Sequence, residues 1–211
     1  MCYFGGIIKL AITGTPGVGK STVSKALMEK LTKNYKWKFQ DIVDIKYVDI
    51  TKVVIENKLY TEKDEDMDSY VIDFQKLNNH INNYSLNHKK NLIIIDGHVS
   101  HLLDVDYIVV LRCNPEIVKD RLKKRNYSKN KINENVEGEI LDICLIESLE
   151  RLQNNNILVY EIDTTNRDID SIVYEIIEAI NNKKVKYGMV SWLEDYFFMM
   201  DCGNKNNFLK K

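Results

Sequence analysis

The chain has 211 residues, 44% of them hydrophobic and 29% charged, with a formal net charge of −1. Such a composition belongs to a folded chain whose length suits one α/β domain. The near-neutral balance argues against a general electrostatic grip on nucleic acid, and no apolar run reaches the ~20 residues that span a bilayer. The start, Met1-Cys2-Tyr3-Phe4-Gly5-Gly6, lacks the basic region of a secretory signal. Cys2, Cys113, Cys144 and Cys202 show no metal-ligand spacing. They read as reduced thiols, with Cys113 and Cys144 as small core residues, and the expectation is a soluble cytoplasmic protein.

In chain order, Ile7–Thr13 is a short apolar, β-branched run and reads as a buried strand. It feeds Gly14-Thr15-Pro16-Gly17-Val18-Gly19-Lys20-Ser21, which matches the phosphate-loop pattern G-x-x-x-x-G-K-[ST] at every fixed position. Val23, Ala26, Leu27 and Leu31 follow at helical spacing. Strand, glycine turn and helix together let backbone N–H groups and a helix N-terminus converge on a polyphosphate. In that arrangement Lys20 meets the β- and γ-phosphates and the Ser21 hydroxyl reaches Mg²⁺.

The stretch Lys33–Asp44 has no clear period; its aromatics Tyr35, Trp37 and Phe39 alternate with lysines. A hairpin arm or packed surface loop is favoured over a nucleic-acid or partner surface. Ile45–Ile50 reads as a second strand, and Glu62–Asp68 as an acidic, solvated loop that could alternatively dock a basic protein. His80 and His88 read as solvated positions on a helical segment. Asn91–Ile95 is a buried strand ending on Asp96, a Walker B-like place for a carboxylate that holds a Mg²⁺-bound water. His98 follows by two residues and is suited to orienting water or relaying a proton. His101 reads either as a structural loop residue or as a neighbour of the site.

Asp106–Leu111 is another strand, ending at Arg112. Beyond it Val118 and Leu122 mark a helix on which Arg121 and Arg125 share a face, as a pair of phosphate and adenine contacts. From Ile132 to Leu152 one long helical segment is expected, with Val136, Ile140, Ile143, Cys144 and Leu149 on one face. Ile157–Ile162 is the last strand, and Ile169, Ile172, Val173, Ile176, Ile177 and Ile180 form an amphipathic stripe. Met189, Trp192, Leu193, Tyr196 and Phe197 predict a C-terminal helix docked on the domain, and Cys202–Lys211 a fraying tail.

Five apolar strands alternating with helices imply a parallel sheet covered on both faces. Ligands in such folds bind beyond the carboxyl ends of the strands, where the glycine loop, Asp96 and Arg112 all fall.

The GTPGVGKS loop, the IIIDGH strand end and the DRLKKRNYS, IDTTNRD, LYTEKDEDMDSYV and YGMVSWLEDYF segments together resemble the nucleoside-monophosphate kinases. More narrowly they resemble the adenylate kinase isoenzyme 6, or CINAP-type, group in its archaeal form, over nearly the whole chain. That resemblance implies a P-loop three-layer sandwich with a five-stranded parallel sheet, an acceptor-binding arm at about 41–66 and a short lid at about 124–134. It further implies Mg²⁺-dependent adenylate kinase activity with broad acceptors, a separate ATPase activity, and transient work on pre-30S particles through ribosomal protein uS11. By the same resemblance, Gly17, Gly19, Lys20, Ser21 and Thr22 contact ATP, Arg125 reaches the nucleotide, and Arg121 flanks the adenine. Ser21 and Asp96 hold the metal, Asp96 and His98 match the family's DxH, and Thr164–Asn166 passes beside the base. Three departures stand out. Lys52 aligns where ordinary adenylate kinases carry an acceptor-arm arginine. Val99-Ser100-His101 follows where they continue towards another. Asn133, Glu134 and Asn135 occupy the lid's second arginine position.

Overall fold

The computed structural model describes residues 7–33, 44–64, 69–85, 91–154 and 157–200. Tyr35, Trp37, Phe39, His88, Cys2, Cys202, loop positions 65–68 and the tail 201–211 lie outside the described residues. The first half runs β1 (Ile7–Thr13), α1 (Lys20–Thr32), β2 (Asp44–Asp49), α2 (Ile50–Glu56), β3 (Tyr60–Asp64), β4 (Ser69–Ile72), α3 (Phe74–Ser85) and β5 (Asn91–Asp96). The second half runs β6 (Tyr107–Arg112), α4 (Pro115–Lys124), α5 (Lys129–Ile140), α6 (Ile143–Asn154), β7 (Leu158–Asp163), α7 (Ile169–Asn181) and the single turn α8 (Leu193–Tyr196). Short 3-10 turns occupy Ser100–Leu102 and Phe197–Met199.

Five strands pair in parallel in the order β2-β5-β1-β6-β7. The chain leaves β1 towards one side of the sheet and later returns to β6 on the other, so the glycine loop after β1 sits at the switch point. Period-two alternation splits each strand between two cores. Leu10, Ile12, Ile94, Val109 and Ile162 face α1, α4, α5 and α7, while Ala11, Ile93, Ile95, Val110 and Val159 face α2, α3 and α6. Both faces are therefore apolar, as a parallel sheet between helix layers requires. Among the described residues no helix is long and apolar enough to cross a membrane.

Three expectations need correction. The segment 132–152 is two helices, not one, because Asp142 adopts φ +56° and breaks the ladder. The break sends α5 to one sheet face through Ile132, Val136 and Ile140 and α6 to the other through Cys144 and Leu145, leaving Ile143 exposed. Strands β3 and β4, an antiparallel pair from Tyr60 to Ile72, escape the apolar-run criterion because they carry Thr61, Glu62 and Lys63. The C-terminal helix shrinks to one turn: Trp192 and Tyr196 pack on the core as expected, but Met189 is 71% exposed and outside it.

Candidate active site

The loop between β1 and α1 is shaped by glycines. Gly14 has φ +134°, and a Cβ there would lie 2.3 Å from the Leu111 carbonyl oxygen. Gly17 has φ +101° against Val118 of α4, and Gly19, the N-cap of α1, has φ +108°. Left-handed backbone of this kind turns successive N–H groups inward and is strained for side chains larger than hydrogen. Lys20 folds back into the concavity, its Nζ donating to the carbonyls of Gly14 (2.7 Å) and Thr15 (3.0 Å). Burial pushes its pKa down to about 8; Arg125 adds to the fall, and Cys144, Asp96 and Glu139 oppose it. An ammonium held by carbonyls in a recess gains strongly from a phosphate anion. Ser21 and Thr22 begin α1 and are exposed.

Asp96, 3% exposed, ends β5 as the sequence implied. Its Oδ2 accepts a 2.7 Å hydrogen bond from the Tyr47 hydroxyl, which lies near the Ser21 side chain. Burial, then Asp96, raises the Tyr47 pKa, so the hydroxyl keeps its proton. Sequence reading missed Tyr47. The available signal was the alternation of β2, which puts Ile45, Tyr47 and Asp49 on one face. Among the described residues no group of three or more His, Cys, Asp or Glu is arranged to hold a metal alone. Ser21 beside one carboxylate suits Mg²⁺, which binds through one or two protein groups and takes its other ligands from phosphate and water.

His98 lies against the same loop, with Nδ1 3.2 Å from the Gly14 oxygen and 3.6 Å from Cys144 Sγ. The tautomer that donates to Gly14 carries its proton on Nδ1 and leaves Nε2 as the basic atom. Partial desolvation, then the charge of Lys20, lowers its pKa to about 4. His101 belongs to the structural reading. It is fully buried, with Nδ1 2.7 Å from Thr13 Oγ1 and Nε2 2.8 Å from Glu147 Oε2. Thr13 in turn hydrogen-bonds the His98 carbonyl at 2.9 Å. His80 is half-buried and bonded to Tyr84 at 2.8 Å, not simply solvated.

Arg112 departs from expectation. Although it ends β6 at the ligand edge, it is 1% exposed and bonds Glu139 (2.9 Å), Glu161 (3.0 Å) and Asp142. Glu139 also accepts from the Cys113 N–H at 3.0 Å. Arg112 therefore locks the α5–α6 joint to the sheet and is removed from ligand contact. Arg121 and Arg125 are both exposed, Arg121 within α4 and Arg125 as its C-cap. Arg121 donates to the Gly17 carbonyl at 2.9 Å, and Arg125 lies close enough to bear on Lys20. The Thr164 hydroxyl lies between the Arg112 (2.8 Å) and Val18 (3.1 Å) carbonyls, which share its one proton, fixing the β7 end against the loop. Next to Thr15 and His98 a recess of about 270 Å³ opens, lined further by Glu134, Glu137, Leu141 and Cys144.

A model of the AAA domain family matches residues 10–142. A Methanocaldococcus jannaschii protein named "Putative adenylate kinase" is 56% identical over 190 residues, covering 90% of this chain and 96% of its own. A Thermococcus kodakarensis protein of the same name is 38% identical over 188 residues, covering 89% and 94%. Among solved structures, shikimate kinase from Acinetobacter baumannii in complex with shikimate aligns at TM-score 0.51 and 14% identity over 87% of this chain and 98% of that one. This last likeness bears on the fold alone. Relatives of such identity run the length of sheet and site together, and the chain belongs to their family, the archaeal P-loop kinases that carry this AAA domain.

Proposed function

We propose that the protein transfers the γ-phosphoryl group of ATP, with Mg²⁺, to AMP and other nucleoside monophosphates, and to water when no acceptor is seated. The observation that carries this reading is the glycine concavity with Lys20 folded into it and the strand-end carboxylate of Asp96 beside it. Gly17, Gly19, Lys20, Ser21 and Thr22 bind the triphosphate, with Arg121 beside the adenine and Arg125 over the phosphates. Ser21 and Asp96 hold the metal, which when bound neutralises phosphate charge and aligns the transferring group. Lys20 exchanges its carbonyl partners for phosphate oxygens, and His98 Nε2 takes up or orients the proton of the attacking hydroxyl or water. No covalent intermediate is needed, since positioning and charge neutralisation supply the rate. The arm at 41–66 receives the acceptor and the corner at 124–134 covers it.

The test is a coupled assay across AMP, CMP, UMP, dAMP and water. Rapid ADP formation with AMP supports the kinase reading; failure of folded protein to bind ATP saturably with Mg²⁺ overturns it. A second reading is favoured by the Glu134 and Glu137 lining of the recess; by resemblance, Asn133, Glu134 and Asn135 stand where the lid's second arginine pair is expected. The chain then belongs to the isoenzyme 6 (CINAP-type) group, and acts in the cytoplasm as a nucleotide-gated assembly ATPase on uS11 and pre-30S particles. Stimulation of hydrolysis by uS11, with slow transfer to AMP, distinguishes it.

A further inference from the structure

We infer that Tyr47 is a positioning residue that presets Ser21 and Asp96 for the metal, an inference that rests on the nucleotide-kinase reading above. Strand register brings the three together. Tyr47 stands opposite Ile94 in the β2–β5 pairing, and Asp96 is two residues further along the same face. Tyr47 and Asp96 are thus diagonal cross-strand neighbours, within reach of a long aromatic side chain. That face is the one covered by α1, whose first turn carries Ser21.

The hydrogen bonding then fixes direction. A phenol has one proton, and Tyr47 donates it to Asp96 Oδ2 at 2.7 Å. The Ser21 side chain lies close to the same phenol; with its proton given to Asp96, the tyrosine oxygen can meet the serine hydroxyl only as an acceptor. A serine whose proton is so engaged keeps its lone pairs for a cation, and a carboxylate anchored through one oxygen keeps the other for a metal-bound water. Without the phenol, Ser21 is an exposed rotor and Asp96 must be oriented by the metal itself. Preorganising such ligands is what groups behind a metal site do elsewhere, and losing them costs about tenfold to a hundredfold in metal affinity.

The experiment compares the full chain with Tyr47→Phe, which keeps the packed ring and removes only the hydroxyl. ATP affinity is measured in EDTA and in excess Mg²⁺, beside unliganded thermal unfolding. The expected result is that ATP binding in EDTA stays within about twofold of wild type, while the gain in affinity on adding Mg²⁺ shrinks about tenfold. In an Asp96→Asn background, adding Tyr47→Phe is expected to change that gain no further. An unchanged Mg²⁺ gain in Tyr47→Phe overturns the inference; so does equal weakening with and without metal, which marks a residue that only supports the fold. Should wild type itself show no Mg²⁺-dependent ATP binding, the nucleotide-kinase reading fails, and that outcome is distinct from wild type and variant gaining equally.

Discussion

Two polar clusters stand side by side on the carboxyl edge of the sheet, and they are built in opposite ways. At the tips of β6 and β7, Arg112 is enclosed by Glu139, Glu161 and Asp142, and every one of these bonds is internal to the protein. At the tips of β1 and β5, Lys20 rests on two backbone carbonyls and Ser21 is open to solvent. The first cluster has nothing left to offer a ligand. In the second, the partners are ones that a phosphate or cation can replace. A strand-end charge is therefore not a functional signal by itself; what separates the clusters is whether the protein has already used up its bonding capacity.

The largest effect expected from this contrast is on stability, at Arg112. Arg112→Ala leaves Glu139 and Glu161 buried, at 1% exposure each, without their counter-charge. Breaking a buried pair from one side costs about 3–5 kcal/mol, so the urea midpoint should fall sharply. A midpoint unchanged from wild type would refute the structural assignment. Lys20→Ala is the mirror experiment. Its partners are carbonyls that water can satisfy, so the unfolding transition should stay in place, while turnover with ATP falls by about 10² or more. Wild-type turnover in that variant would remove Lys20 from the chemistry.

His98→Gly sharpens the comparison within the functional cluster. The ring touches the loop through Gly14 and offers Nε2 as base. Its loss should impair hydrolysis more than transfer to AMP, within the ~10²–10⁴ span of general acid–base effects. Equal losses in the two assays would argue against a role in directing water.

How much of this could be read beforehand follows the same division. The strands were legible because runs such as Leu92–Ile95 are apolar on both faces, and the loop because its glycines and lysine occupy fixed spacings. The positions of Asp96 at the end of β5 and of His98 against the glycine loop were legible because strand end and motif coincide. Arg112 was misread because its neutralising carboxylates come from α5, the α5–α6 joint and β7, up to 49 positions away in sequence. The Leu141–Asp142 break was hidden because Ile140, Ile143 and Cys144 continue a helical spacing although they serve opposite cores. Tyr47 was invisible for a related reason: its role depends on β2–β5 register, which one strand does not reveal.

The smallest effect concerns acid stability and lies just behind the functional cluster. His101 is buried between Thr13 on β1 and Glu147 on α6. If Thr13 donates to the His98 carbonyl, both imidazole nitrogens must carry protons; the neutral ring forces Thr13 to choose between His98 and His101. Burial lowers the His101 pKa, Glu147 works against that, and Arg151 adds to it. Because the folded value lies below the ordinary 6.5, the unfolded chain takes up this proton first as pH falls. The neutral ring's contribution to stability is complete above 6.5 and is lost as pH drops towards the lower folded value. His101→Gln removes this titration, so the slope of unfolding free energy against pH should flatten below 6.5. His98 also titrates low, to about 4 and with the same sign, so part of the acid slope persists in the variant. Slopes that superimpose for wild type and His101→Gln would show that the fold does not hold His101 below its ordinary value.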